Sequence, residues 1–133
     1  VEEPRMREQD WGNFQDRNDI REQKAARNAF GHFFYRFKYG ESGADVYDRV
    51  STFLETLHRD FQKPTFPENA LIVTHGLTLR LFLTRWFHWS VEYFESLDNP
   101  AHCVPHMLVR QPNGAFCLDR PLAQWRHVPL EPQ

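Results

Sequence analysis

The run Ala70-Leu71-Ile72-Val73-Thr74-His75-Gly76 constrains the architecture more than any other part of the chain. Four apolar residues in succession, too few for a helix of their own, are the pattern of a strand buried on both faces of a parallel sheet. From Leu77 to about Trp89 the residues read as an apolar helix. His75 therefore stands at the carboxyl end of a strand, which is where open α/β sheets bind ligands. Gly76 allows a tight turn and a close backbone approach. The first N–H groups and the positive dipole end of the following helix point at the same spot, which favours an anion such as phosphate. On spacing alone, a hydrogen-bonded histidine at a strand end explains His75 equally well.

The flanking elements agree with an α/β architecture. Val46, Val50, Phe53, Leu54, Leu57 and Phe61 fall at helical spacing and predict a helix over 43–62. Ser42 followed three residues on by Asp45 makes a capping box at its start, and Pro64 ends it. Ser90 caps a short helix from Val91 to Leu97. "CVPHMLVRQ" and "AFCLD" flank Pro112-Asn113-Gly114 and predict a hairpin. If Asn113-Gly114 is a two-residue turn, Cys117 faces Arg110, and a disulfide with Cys103 is not expected. Residues 1–16 read as an irregular entry anchored by Trp11, Asp16 to Asn28 as a solvated helix, and "HFFYRF" (32–37) as an ordered aromatic loop. The tail from Arg120 is interrupted by prolines and is expected on the surface. Helix, buried strand, helix and edge hairpin predict helices on both faces of a mostly parallel sheet, in one domain over 1–133.

Composition narrows the function. A net charge of -2 and the absence of a basic stripe argue against nucleic acid. No apolar run approaches the roughly 20 residues that span a bilayer. Val1-Glu2-Glu3-Pro4-Arg5 does not read as a signal peptide. Two cysteines without CxxC spacing suit a reducing compartment, and a cytoplasmic location is expected.

Three segments, in order, resemble the histidine phosphatase superfamily, the phosphoglycerate mutase-like proteins. "THGLTLR" is similar to the family's second-histidine motif, "REQDWGNFQ" (7–15) to the loop carrying its acidic proton donor, and "GESGADVYDRV" (40–50) to the segment opening the helix before the Thr-His-Gly strand. Within the family the likeness runs to the plant, fungal and protozoan branch. The resemblance implies a three-layer phosphoglycerate mutase-like fold, of which this chain looks like the C-terminal part. It implies Glu8 as proton donor and His75 as the second histidine, with His75, Gly76 and Thr74 holding phosphate. The family chemistry passes through a phosphohistidine. It uses two arginines and a second histidine to neutralise phosphoryl charge, and a glutamate to protonate the leaving oxygen. No metal or cofactor is implied.

The sequence departs from the family at the nucleophile. No Arg-His-Gly is present, and His32, His58, His88, His102, His106 and His127 lack its flanking residues. A second phosphate-binding arginine, upstream in the family, has no counterpart either. Plainer readings also exist. Glu8 by composition alone is a surface glutamate, Glu41 and Ser42 a helix start, His58 a solvated residue, and Thr74 a residue suited to a strand end. Gly76 serves the strand-to-helix turn, and Arg80 pairs with a carboxylate. True phosphoglycerate mutases carry a long insertion between the acidic loop and Gly-Glu-Ser, whereas Glu8 and Gly40 are only 32 positions apart here. A phosphatase acting on a small phosphorylated substrate is therefore expected over a mutase, with an inactive scaffold as the non-enzymatic alternative. A missing N-terminal piece, or a second copy in a homodimer, is expected to cover the open edge of 70–75.

Overall fold

The helix after Gly-Glu-Ser, α2 (Gly43–Phe61), organises the chain. The structure, a computed structural model, describes residues 1–131. The capping box forms as expected: the Ser42 hydroxyl accepts the Asp45 N–H at 3.2 Å and the Asp45 carboxylate accepts the Ser42 N–H at 2.9 Å. Val46, Val50, Leu54 and Leu57 form the buried face. They pack on α3 (Gly76–Phe87), which buries Leu77, Leu81, Phe82 and Leu83. The short α4 (Val91–Ser96), capped by Ser90, adds Tyr93 and Phe94, and Leu97 completes the same core.

The polar helix α1 (Arg17–Phe30) buries none of its residues. Asp16 caps it, and it runs past Asn28 until Gly31, at φ 111°, turns the chain. The aromatic loop then drops Phe33 and Phe37 into the protein. Phe33 meets Tyr47 and Phe94 edge-on, and Phe37 stacks on Trp11 at 4.8 Å, so the Trp11 anchor is held.

Three expectations need correction. Residues 70–75 pair with no segment among the described residues, so the expected parallel sheet does not form; the sheet present is an antiparallel pair, β1 (Leu108–Arg110) and β2 (Phe116–Leu118). A strand exists only through its neighbours, and with no ladder on either edge Leu71 and Val73 stand 87% and 83% exposed. In the hairpin, Cys117 lies opposite Val109 and not Arg110. Gln111 N–H bonds Ala115 O at 2.7 Å around Pro112-Asn113-Gly114, and Gly114 at φ 85° adds the residue that shifts the register. Both cysteines are exposed and free. The tail is not wholly superficial: Leu122 is buried, and Asp98 N–H and Trp125 N–H bond Ala123 O and Ser96 O. That stretch closes over the end of α4, whose last carbonyls have no helical partner.

No described helix is long and apolar enough to cross a membrane.

Leu81 is fully buried between α2 and α4. Leu81→Ala should lower unfolding free energy by about 2–5 kcal/mol. Urea denaturation followed by circular dichroism measures this, and a loss under 1 kcal/mol would show that α3 is not the core of the fold.

Candidate active site

The acidic loop is carried to the start of α3 by two threonines. The Thr74 hydroxyl donates to Met6 O at 2.7 Å, and the Thr78 hydroxyl donates to Arg7 O at 2.9 Å. Thr78 is fully buried and also reaches Oε1 of Glu8 at 3.5 Å, a long contact. Glu8 Oε1 accepts the Gln9 N–H at 2.9 Å as well. The carboxylate of Glu8 thus lies in the first turn of α3, one turn from the residue that caps it. That residue is His75, exposed, with no capping hydrogen bond from its side chain and no ring hydrogen bond among the described residues. The loop that carries Glu8 and the exposed His75 thus both lie at the N-terminal end of α3. A carboxylate at that position is favourably placed in the helix field.

The Thr74 hydroxyl, expected to contact phosphate, donates its proton to Met6 O and so ties the start of α3 to the acidic loop. Gly76 packs against the side-chain amide of Asn99, which would have to shift to admit a Cβ there. Arg80 departs from expectation. It donates to Leu97 O at 3.3 Å and lies over the ring of Phe94 at 5.4 Å, with no hydrogen bond to a carboxylate. Burial first, then the charge of Arg27, lowers its pKa to about 10 against the opposing pull of Glu95, Glu8 and Asp98. His58 is exposed but not idle: Nδ1 contacts Leu54 O at 2.7 Å and the ring stacks on Trp86 at 5.0 Å.

Arg49 was not singled out by any motif, yet it holds the acidic loop. From α2 it donates to the carbonyls of Arg5, Arg7 and Glu8 at 2.7, 3.0 and 3.1 Å, and to both carboxylate oxygens of Glu41 at 2.9 and 3.0 Å. Glu41 in turn accepts the Asp10 N–H at 3.0 Å, so it does more than begin a helix. Burial pushes the Glu41 carboxyl up, but the Arg49 hydrogen bonds, the Asp10 N–H and the charges of Arg49 and Arg7 outweigh it, and its pKa lies below the ordinary 4.5. The available signal was spacing: Glu41 and Arg49 lie eight residues apart across a helix start, within reach of one another.

Among the described residues no group of histidine, cysteine and carboxylate side chains could hold a metal ion.

An acidic loop is thus fixed against the mouth of a helix that follows Thr-His-Gly. The chain belongs to the histidine phosphatase superfamily (branch 1), whose family model matches residues 1–119. It is 47% identical over 135 residues to the phosphoglycerate mutase-like protein AT74 of Arabidopsis thaliana, covering 93% of this chain and 43% of that relative. It is 54% identical over 121 residues to AT74H of the same plant, covering 86% and 43%. It is 44% identical over 128 residues to the broad-range acid phosphatase DET1 of Saccharomyces cerevisiae, covering 93% and 38%. The chain spans about two fifths of the length of these curated relatives. No solved structure matches it.

His32 offers a pH test of this region. Burial first, then the charges of Arg27 and Arg80, lower its pKa from 6.5 to about 4, against Glu95. The unfolded chain therefore binds a proton between about pH 6.5 and 4 that the folded chain refuses, so stability falls on acidification through that window. His32→Gln should flatten the pH dependence of Tm there. An unchanged slope would show that His32 takes its proton without penalty.

Proposed function

We propose that this chain supplies the general acid and one phosphate ligand of a histidine phosphatase that hydrolyses phosphomonoesters. The observation that carries the reading is the contact of the Glu8 carboxylate with Thr78, in the first turn of the helix that His75 opens. In the proposed reaction a nucleophilic histidine from the rest of the protein attacks phosphorus. The P–O bond to the alcohol breaks as the P–N bond forms. Glu8, protonated, gives its proton to the departing oxygen. His75 and the α3 N–H groups offset charge on the phosphoryl oxygens. Glu8, now a carboxylate, then accepts a proton from the water that cleaves the P–N bond. This restores the histidine and releases phosphate.

Hydrolysis is favoured over mutase chemistry by the short connection between Glu8 and Gly40, and a relative named as a broad-range acid phosphatase supports the same choice. The same reading assigns a partner to Leu71-Ile72-Val73: a strand from the remainder of the intact protein, or from a second copy. Exposed apolar residues on an unpaired segment are a template for such pairing. Two free, exposed cysteines fit a cytoplasmic setting.

The role of Glu8 is tested by leaving-group dependence. In the intact protein, Glu8→Gln should lower kcat for an alkyl phosphate about a hundredfold or more. The loss for p-nitrophenyl phosphate should be much smaller, because nitrophenolate departs without a proton. Equal losses on both substrates would remove Glu8 from the acid role. The 133-residue chain alone should show no useful turnover of p-nitrophenyl phosphate, since it brings no nucleophile. Robust turnover abolished by His75→Ala would make His75 the nucleophile instead.

A further inference from the structure

A cleft of about 570 Å³ borders the mouth of α3. That is the size of a small-molecule site. Asn99 joins the cleft to the candidate site: its side-chain amide lies against Gly76, the residue after His75, and it also lines the cleft. The wall is built where the chain leaves α4, enters the hairpin and returns from it, from 98–101, Val104, His106 and 120–123. Asp98 N–H bonds Ala123 O at 2.8 Å, which ties the outgoing stretch to the returning one. Leu122 is buried and anchors the returning stretch in the core.

The polar groups in this wall are of mixed kind. The Arg120 guanidinium donates from Nη2 to Pro105 O at 2.9 Å and keeps its other N–H donors. The exposed carboxylate of Asp98 accepts no hydrogen bond among the described residues. Asn99 offers a donor and an acceptor. Both ring nitrogens of His106 are buried without a hydrogen-bond partner among the described residues. Folded proteins seldom leave such groups unpaired, and a polar ligand in the cleft supplies what the chain does not. Pro100, Val104 and Leu122 add apolar surface. Charge then selects among ligands: an anion would meet Asp98, and a cation would meet Arg120. A hydroxyl donates one hydrogen bond and accepts others, so it suits a carboxylate, a guanidinium and an imidazole alike.

We propose that this cleft is the subsite for the alcohol part of the substrate, and that it selects phosphomonoesters of neutral, hydroxyl-bearing alcohols. The proposal rests on the reading of the site as one for phosphomonoesters. With phosphorus held at the mouth of α3, the group esterified to it has the cleft as its neighbour on the side of Asn99. Asp98, Asn99, His106 and Arg120 then set specificity by hydrogen bonds to the hydroxyls and take no part in the transfer of the phosphoryl group.

The experiment is the kinetics of the intact protein on hexyl phosphate and sorbitol 6-phosphate, two primary six-carbon phosphates that differ in their hydroxyls. A kcat/KM about tenfold or more higher for sorbitol 6-phosphate is expected, and His106→Phe and Arg120→Gln should narrow that ratio severalfold. The ratio cancels the fraction of folded enzyme, so lost stability in His106→Phe does not imitate the effect. Arg120 is exposed, and its variant is the second check. No preference for the hydroxylated ester, or a preference that neither variant narrows, overturns the proposal. Absence of a preference is also the outcome if the remainder of the intact protein fills the cleft. If the protein turns over neither ester, the phosphatase reading falls, and dissociation constants of the same two compounds from calorimetric titration decide the cleft. Tighter binding of sorbitol 6-phosphate, weakened in either variant, sustains it, and any other result overturns it.

Discussion

The guanidinium of Arg49 is the interaction on which the rest of the site depends. Every N–H donor it has is used, on Glu41 and on the backbone of residues 5, 7 and 8. The acidic loop has almost no regular structure, one short 3₁₀ turn at Pro4–Met6, and so has few backbone bonds of its own. Arg49 supplies donors to carbonyls of the loop and fixes it to the longest helix in the chain. A lysine there would keep the charge but not the planar fork that reaches carboxylate and carbonyls together. Buried donors and acceptors would be left behind, each costing about 1–3 kcal/mol.

The clamp works because α2 is itself fixed at its start. The capping box sets where the helix begins, and hence where Arg49, two turns on, emerges from it. Gly40 and Gly43 permit the close approach on either side: a Cβ at Gly40 would meet Asp10 O, and one at Gly43 would meet His32 O. The Gly-Glu-Ser segment therefore couples helix nucleation to the placement of the acidic loop, and the threonines of α3 and its approach grip the same loop from the opposite side. Glu8 is held from two helices whose own contact is the hydrophobic core.

What was legible in the sequence was local. The helical spacing and cap of α2 placed it over 43–62, against the observed Gly43–Phe61, and the Thr-His-Gly run placed His75 at the mouth of α3, because both signals are local. Glu8 and His75 lie far apart in the sequence, and only the family resemblance joined them; the contact of Glu8 with Thr78, 70 residues away, was not foreseen. Arg49 was missed because its partners are mainly backbone carbonyls, which no side-chain pattern announces. One open edge of 70–75 was expected; that neither edge finds a partner among the described residues was missed for the opposite reason. Apolar residues show that a segment wants neighbours, and say nothing of whether the neighbours are in the same stretch of chain.

That distinction divides the site into parts of different robustness. Glu8, Thr78 and the backbone around them are positioned by α2, α3 and Arg49, all supplied by this chain. The approach to His75 is tied at Thr74, through Met6, but Leu71 and Val73 before it have no ladder and lie exposed. Those backbone groups are open to water, so leaving them unpaired costs little; the cost lies in the apolar side chains kept out of a core, at about 25 cal/mol for each Å² that burial would remove from water. Pairing this segment would therefore gain stability mainly through side chains, and would add backbone order just before His75. It would leave Glu8 where the core already puts it. Glu8 is placed by contacts within this chain, and the backbone leading to His75 is the part still open to adjustment by whatever lies against residues 70–73.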